Sequence, residues 1–198
     1  AASAAHGPWP EGAYPGTCRD LTEDERAARA AERPDKQPAL RVRADAAEVV
    51  VVDRLHGEVA GLVDDFVVRR GDGVPAYNLA VVVDDAAQGI DEVVRGDDLL
   101  HGTPRQAWLC EQLGLPVPAY AHVPLVLGPD GERLAKRHGA VTRADLTDLG
   151  MGPAGLLSML AASLDLAEPE EDVDVGVLLE RFDPEALPAA PWVFTPPP

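Results

Sequence analysis

The chain has 198 residues, enough to bury a sizeable core as one domain or as a main domain with a smaller companion. Its balance of 46% hydrophobic and 26% charged residues is that of a globular protein, and no run reaches the roughly eighteen apolar residues of a membrane span. A net charge of −17 repels phosphate backbones at long range. Screening confines each charge to about 10 Å, however, so a local basic patch can still meet a nucleic acid.

Residues 1–20 alternate Pro and Gly with aromatics and read as irregular. "LTEDERAARAAER" follows as a helix, with Thr22 and Glu25 spaced as a capping box. "ALRVRAD", "EVVVVDRLHGEVAG" and "DDFVVRRGDG" are valine-rich and read as strands joined by short turns. "AYNLAVVVDDAAQG" fits either a helix or a buried strand, since periodicity alone does not separate them. "IDEVVRGDDLL" reads as a short strand leaving a polar loop. "TPRQAWLCEQLGL" reads as a helix capped by Thr103, with Pro104 at its first position and Gly114 as its stop. Strand, polar loop and capped helix in succession predict an α/β sheet with a ligand site at the strand's C-terminal end. From about 142 the pattern is helical, through "TRADLTDLG", "GPAGLLSMLAASLDL" and "VDVGVLLERF". The ending "PAAPWVFTPPP" is expected to form no regular structure.

Two cysteines, Cys18 and Cys110, make no disulfide framework, which points to a reducing cytosol. The sequence shows no signal-peptide pattern of basic start and apolar centre. It opens on Ala1 with a loop-like stretch, so a piece of a longer protein is expected.

Three stretches could carry chemistry. "RLAKRHGA" places Arg133, Lys136, Arg137 and His138 close together, either as a solvated turn or as a mobile loop whose lysine follows charge developing on a phosphate. "VVRGDD" sets Arg95 at a strand end before Asp97 and Asp98. That arrangement suits a two-hydrogen-bond grip on a carboxylate, and suits a surface ion-pair cluster equally well. Tyr77 follows a glycine-rich turn and either offers its hydroxyl to a ligand or packs. The pairs Asp84-Asp85 and Asp97-Asp98 resemble magnesium ligands no more than they resemble solvated loop ends. His6 and His56 precede glycines and read as loop residues.

Taken together and in this order, these stretches closely resemble the second half of the catalytic domain of class I glutamyl-tRNA synthetases, over about residues 48–150. "RLAKR" occupies the place of the K-M-S-K-S signature, with Arg133 and Ala135 replacing its first lysine and first serine and Lys136 keeping its second lysine. Within the family the likeness is strongest to a short paralogue that glutamylates queuosine in the anticodon of tRNA(Asp). "RGDDLL" stands where the longer enzymes more often read R-G-E-D-H-L, the strand pair around "DRLHGEVAG" is compact, and the short stretch after the helices from 142 leaves no room for an anticodon-binding domain, so none is expected.

The resemblance implies an α/β fold: the C-terminal part of a class I Rossmann-type catalytic domain, with a partial zinc-binding insertion and C-terminal helices. Residues 1–47 would end the insertion, 48–141 would form the second half of the catalytic domain, and 142–198 a helical region with a Pro-rich tail. Tyr77 and Arg95 match glutamate-holding residues, and Lys136 matches the lysine that contacts ATP phosphates. The implied substrates are L-glutamate, ATP with Mg2+, and tRNA(Asp), acted on by a cytoplasmic monomer with no membrane partner. Charging of the 3′ end of tRNA(Glu) and a non-catalytic binding role are the alternatives. Tyr14 and Cys18 match zinc ligands of the insertion, but no C-x-C pair completes a set of four, so Zn2+ is expected of the intact protein rather than of this chain. The H-I-G-H signature is also missing. This segment by itself is therefore expected to be inactive, with an incomplete sheet.

Overall fold

The computed structural model describes residues 13–135, 137 and 142–195. The chain divides into two compact units, one comprising the residues up to Val93 together with Leu99–Ala121, the other Val94–Asp98 together with the chain from His122 onward.

The first unit begins with α1 (Glu23–Ala31), whose capping box forms as its sequence predicts: Thr22 Oγ1 accepts from the Glu25 N–H, and the Glu25 carboxylate accepts from the Thr22 N–H. The strand expected over 39–45 shortens to β1 (Leu40–Arg41), paired antiparallel with β4 (Val67–Arg69) through a register shift. β2 (Ala47–Asp53) and β3 (Gly57–Val63) form an antiparallel hairpin running from Ala47 opposite Val63 to Asp53 opposite Gly57. Val50 and Val52 face solvent while Val51 and Asp53 are buried, the alternation a one-faced strand requires. Asp53 Oδ1 accepts the N–H groups of Leu55 and His56, which closes the turn.

The ambiguous stretch is a helix, α2 (Tyr77–Gln88), ended by left-handed Gly89. Three consecutive valines favour a strand locally. Packing overrides them: Leu79 and Val82, three apart, meet the core, while Val83, Asp84, Ala87 and Gln88 are exposed. α3 (Thr103–Leu113) stops at left-handed Gly114 as expected, but Thr103 does not cap it. A 3-10 turn (Asp97–Gly102) runs straight into α3, so the N-cap is Gly102 in a helical conformation and Thr103 lies inside, buried. β3 and α3 approach so closely that a Cβ on Gly61 would come within 2.8 Å of Pro104 Cγ. The core gathers Ala44, Val63, Phe66, Val82, Leu109 and Cys110, with the Phe66 and Trp108 rings edge to face at 6.1 Å. Each fully buried aliphatic side chain of this kind stabilises by about 1.5–3 kcal/mol.

A four-stranded sheet has the order β3-β2-β6-β5, where β5 is Glu92–Gly96 and β6 is Ala119–Val123. β2 and β6 are parallel, with Asp53 opposite Tyr120. β6 is a short apolar run interrupted by a histidine, a pattern that periodicity does not identify as a strand.

In the second unit, β7 (Val126–Leu127) pairs in parallel with β8 (Trp192–Val193). This corrects the expectation of an irregular ending. The prolines, which lack N–H donors, flank the segment, while Trp192 and Phe194 donate to the Leu125 and Leu127 carbonyls and Phe194 is buried. α4 (Arg143–Asp148) carries a Thr142/Asp145 capping box, α5 (Pro153–Ala162) starts on a proline, and α6 (Val175–Arg181) is capped by Asp174. Among the described residues no helix is long and apolar enough to cross a membrane.

Candidate functional site

Within the second unit, the end of β5, the end of β6 and the start of the basic loop carry side chains that meet. Arg95, the fourth residue of β5, donates its Nε–H to His122 Nε2 at 2.9 Å. His122, on β6, is fully buried. An imidazole nitrogen that accepts this bond carries no proton, which places the ring proton on Nδ1.

Gly96 explains how the strand end fits. A Cβ there would lie 2.9 Å from Leu125 Cδ2 and 2.6 Å from Asp98 Oδ1, so a larger residue would push the Arg95 backbone out of place. Asp98 accepts from Arg133 Nη1 at 2.9 Å. Arg133 is held in turn by a bridge to Leu127, and the Leu134 N–H donates to the Val126 carbonyl. The GPDGE turn before it closes through Gly131 N–H to the Gly128 carbonyl. The ion-pair reading of "RGDD" therefore holds for Asp98, and Arg95 donates to a histidine.

Lys136 and His138 lie outside the described residues, and Arg137 is exposed. Tyr77 stands in the first unit as the first residue of α2. It is 58% exposed, so its ring is not buried within that unit. Its neighbour Asn78 accepts from Gln106 Nε2 at 3.1 Å; Gln106 is buried on α3 and fixes the start of α2.

Tyr14 and Cys18 are brought together, with the Cys18 N–H donating to the Tyr14 hydroxyl. Their surroundings are cationic: Arg29 Nη1 lies 3.2 Å from Cys18 Sγ, and the Arg41 guanidinium sits 4.1 Å from the centre of the Tyr14 ring. Two donors beside two guanidinium groups are half of a tetrahedral zinc set and do not fit the ion by themselves. No cluster of three or more possible ligands occurs among the described residues.

Sequence reasoning missed His122 and the Asp98–Arg133 pair. The one available signal for His122 was a histidine inside an otherwise apolar strand-length run, "AYAHVPL". A groove of about 940 Å³ among the helices of the second unit, lined by Met151, Met159 and Trp192, contains none of the predicted site residues.

Comparison with known proteins bears on this geometry. The family model described as tRNA synthetases class I (E and Q), catalytic domain, matches residues 3–192. The chain is 59% identical over 197 residues to a glutamyl-Q tRNA(Asp) synthetase of Nocardia farcinica, covering 98% of this chain and 60% of that protein. It is 49% identical over 194 residues to one of Symbiobacterium thermophilum, covering 96% and 59%. A glutamate–tRNA ligase of Halorhodospira halophila is 43% identical, over 92% of this chain and 39% of the ligase. The chain thus spans about 60% of the length of the two glutamyl-Q relatives. In fold it resembles the crystal structure of a glutamate tRNA ligase from Elizabethkingia meningosepticum in complex with its amino acid, with a TM-score of 0.67 over 90% of this chain and 40% of that one at 23% identity.

Proposed function

Because the chain belongs to the class I tRNA synthetase (E and Q) catalytic-domain family, we propose that the full-length protein activates L-glutamate with ATP and transfers it to queuosine in the anticodon of tRNA(Asp). A carboxylate oxygen of glutamate attacks the α-phosphorus, pyrophosphate leaves, and a hydroxyl of the RNA then displaces AMP from the glutamyl-adenylate. Positioning and electrostatic stabilisation carry such a phosphoryl step.

The observation that carries this reading is the 59% identity, over nearly the whole chain, to a relative named for that reaction. The placement of Arg95 near the C-terminal end of β5 agrees with it, since ligands of open α/β sheets bind beyond the carboxyl ends of the strands. In this proposal Arg95 and Tyr77 bind glutamate, each from its own element, and Lys136 meets the ATP phosphates, with Mg2+ accompanying the nucleotide. Residues 1–47 are assigned to the end of a connecting insertion, 48–141 to the catalytic half and 142–198 to the helical region. Zinc, if bound, takes Tyr14 and Cys18 as two ligands and needs two more from outside the described residues. The protein is proposed to act as a cytoplasmic monomer.

The test supplies labelled glutamate and ATP to the full-length protein with tRNA(Asp) bearing or lacking queuosine. Incorporation that depends on queuosine supports the proposal. Incorporation that ignores queuosine, or that charges tRNA(Glu), overturns the choice of acceptor. An absence of glutamate-dependent ATP–pyrophosphate exchange overturns catalysis itself. Lys136→Ala is expected to slow that exchange by at least about tenfold, the loss typical of one phosphate-contacting charge.

A further inference from the structure

The groove of about 940 Å³ in the second unit contains none of the residues assigned above to glutamate, ATP or zinc. Its volume is that of a small-molecule site, for which roughly 300–1,000 Å³ is usual. Met151, Met159 and Trp192, all half-buried, give it soft apolar walls. α5 leaves it room: a Cβ added to Gly155 would meet nothing within 4 Å except Met151 Cγ, at an ordinary 3.5 Å.

The charge on the lining has one sign. Asp165, Glu170, Glu171 and Asp172 all border the groove, and among the described residues no lysine, arginine or histidine does. Arg181 answers Glu171 at 2.8 Å. The exposed carboxylates of Asp165, Glu170 and Asp172 make no ion pair with a described residue. A second feature is independent of this rim. Ser158, which lines the groove from α5, is 5% exposed, and its hydroxyl has no hydrogen-bond partner. A hydroxyl withdrawn from water without a partner costs stability, which a bound hydrogen-bonding group would restore.

We propose that this groove binds a small organic cation, an ammonium or guanidinium carried on an apolar stem. The stem lies against the two methionines and the Trp192 ring, and the cation stands among the three unpaired carboxylates. The Ser158 hydroxyl turns about its Cα–Cβ bond and accepts a hydrogen bond from the ligand. The same rim repels phosphates and carboxylates, which excludes glutamate, ATP and RNA as the occupant.

The probe is phenylbutylamine, with phenylbutanol as its neutral and phenylbutanoate as its anionic counterpart, added to full-length protein carrying isotope-labelled methionine methyls. Met151 and Met159 are the two methionines of these 198 residues, and Met151→Leu and Met159→Leu assign their NMR signals. The amine is expected to shift both signals with a dissociation constant of about 1 mM or tighter, the alcohol to bind at least about tenfold more weakly, and the anion to shift neither. Raising NaCl from about 0.02 M to about 0.5 M should weaken the amine severalfold and spare the alcohol.

Two sets of variants test the parts. Asp165→Asn, Glu170→Gln and Asp172→Asn together are expected to bring amine and alcohol within about threefold of each other. Asp165 has a φ of 58°, a left-handed conformation that asparagine accepts. Ser158→Ala is expected to weaken the amine by at least about threefold and to unfold at a temperature no lower than the wild type's, because the unliganded hydroxyl makes no bond to lose. Circular dichroism checks that the variants fold. Methionine signals that do not move, equal affinity for the three probes, or an amine preference that survives the amide rim overturns the cation site. A Ser158→Ala protein with unchanged affinity or a lowered unfolding temperature overturns the part given to the hydroxyl.

Discussion

Arg133 Nη1 lies 2.9 Å from Asp98 Oδ2, joining the first residue of the basic "RLAKR" stretch to the carboxylates that follow β5. The arginine side chain is 71% exposed and the aspartate 31%, so water and salt weaken the pair. A double-mutant cycle of Arg133→Ala and Asp98→Asn is expected to show a coupling of about 0.5 kcal/mol in low salt, shrinking toward zero in about 1 M NaCl. Urea unfolding at the two salt concentrations measures it. A coupling above about 2 kcal/mol that ignores salt would contradict a pair this exposed.

Arg105 and Asp64 make the opposite kind of pair. The carboxylate is buried, it accepts from Arg105 Nε at 2.6 Å, and it also accepts the Tyr14 N–H at 3.2 Å. Arg105→Leu leaves a buried charge without its cation and is expected to cost about 3–5 kcal/mol in unfolding free energy. Asp64→Asn keeps a neutral acceptor there and is expected to cost less. Chemical denaturation of both variants checks the order, which is the informative result.

Glu171 gives a pH dependence of known sign. The Arg181 guanidinium, and then the Glu168 N–H, hold its carboxyl below the ordinary value of 4.5. A carboxyl depressed in the folded state contributes stability above the unfolded pKa, and that contribution disappears as pH falls through the lower folded value. Thermal unfolding followed from pH 6 down to about 3 is expected to fall less steeply in Glu171→Gln than in the wild type below about pH 4.5. Equal slopes would mean the pair does not form in solution.

The two thiols are expected to label at different rates. Cys18 is exposed, whereas Cys110 is buried in the core, where burial pushes its thiol up from the ordinary value. A disulfide reagent should modify one thiol quickly under native conditions and the second only on unfolding. Cys18→Ser should remove the fast phase; if it removes the slow one, α3 does not bury Cys110.

Much of the local structure was legible because it depends on neighbours in sequence. The Thr22/Glu25 box, the β2–β3 hairpin and the left-handed stop at Gly114 are each set by groups within four residues of one another. Local signals failed where a distant surface decided. Three valines in α2 became helical because Leu79 and Val82 had a core to meet. Thr103 lost its cap because a 3-10 turn led directly into the helix.

The sequence by itself determined the chemistry available: an arginine at a strand end, a basic stretch in an acidic chain, and a motif order sufficient to point to the class I synthetases. Tertiary structure decided which of those groups are spent on one another. Arg95 and His122 are 27 residues apart, and Asp98 and Arg133 are 35 apart. Nothing in the spacing of either pair announces a contact. Strand order brings them together, and strand order is set by which apolar faces can be buried at once rather than by any local preference.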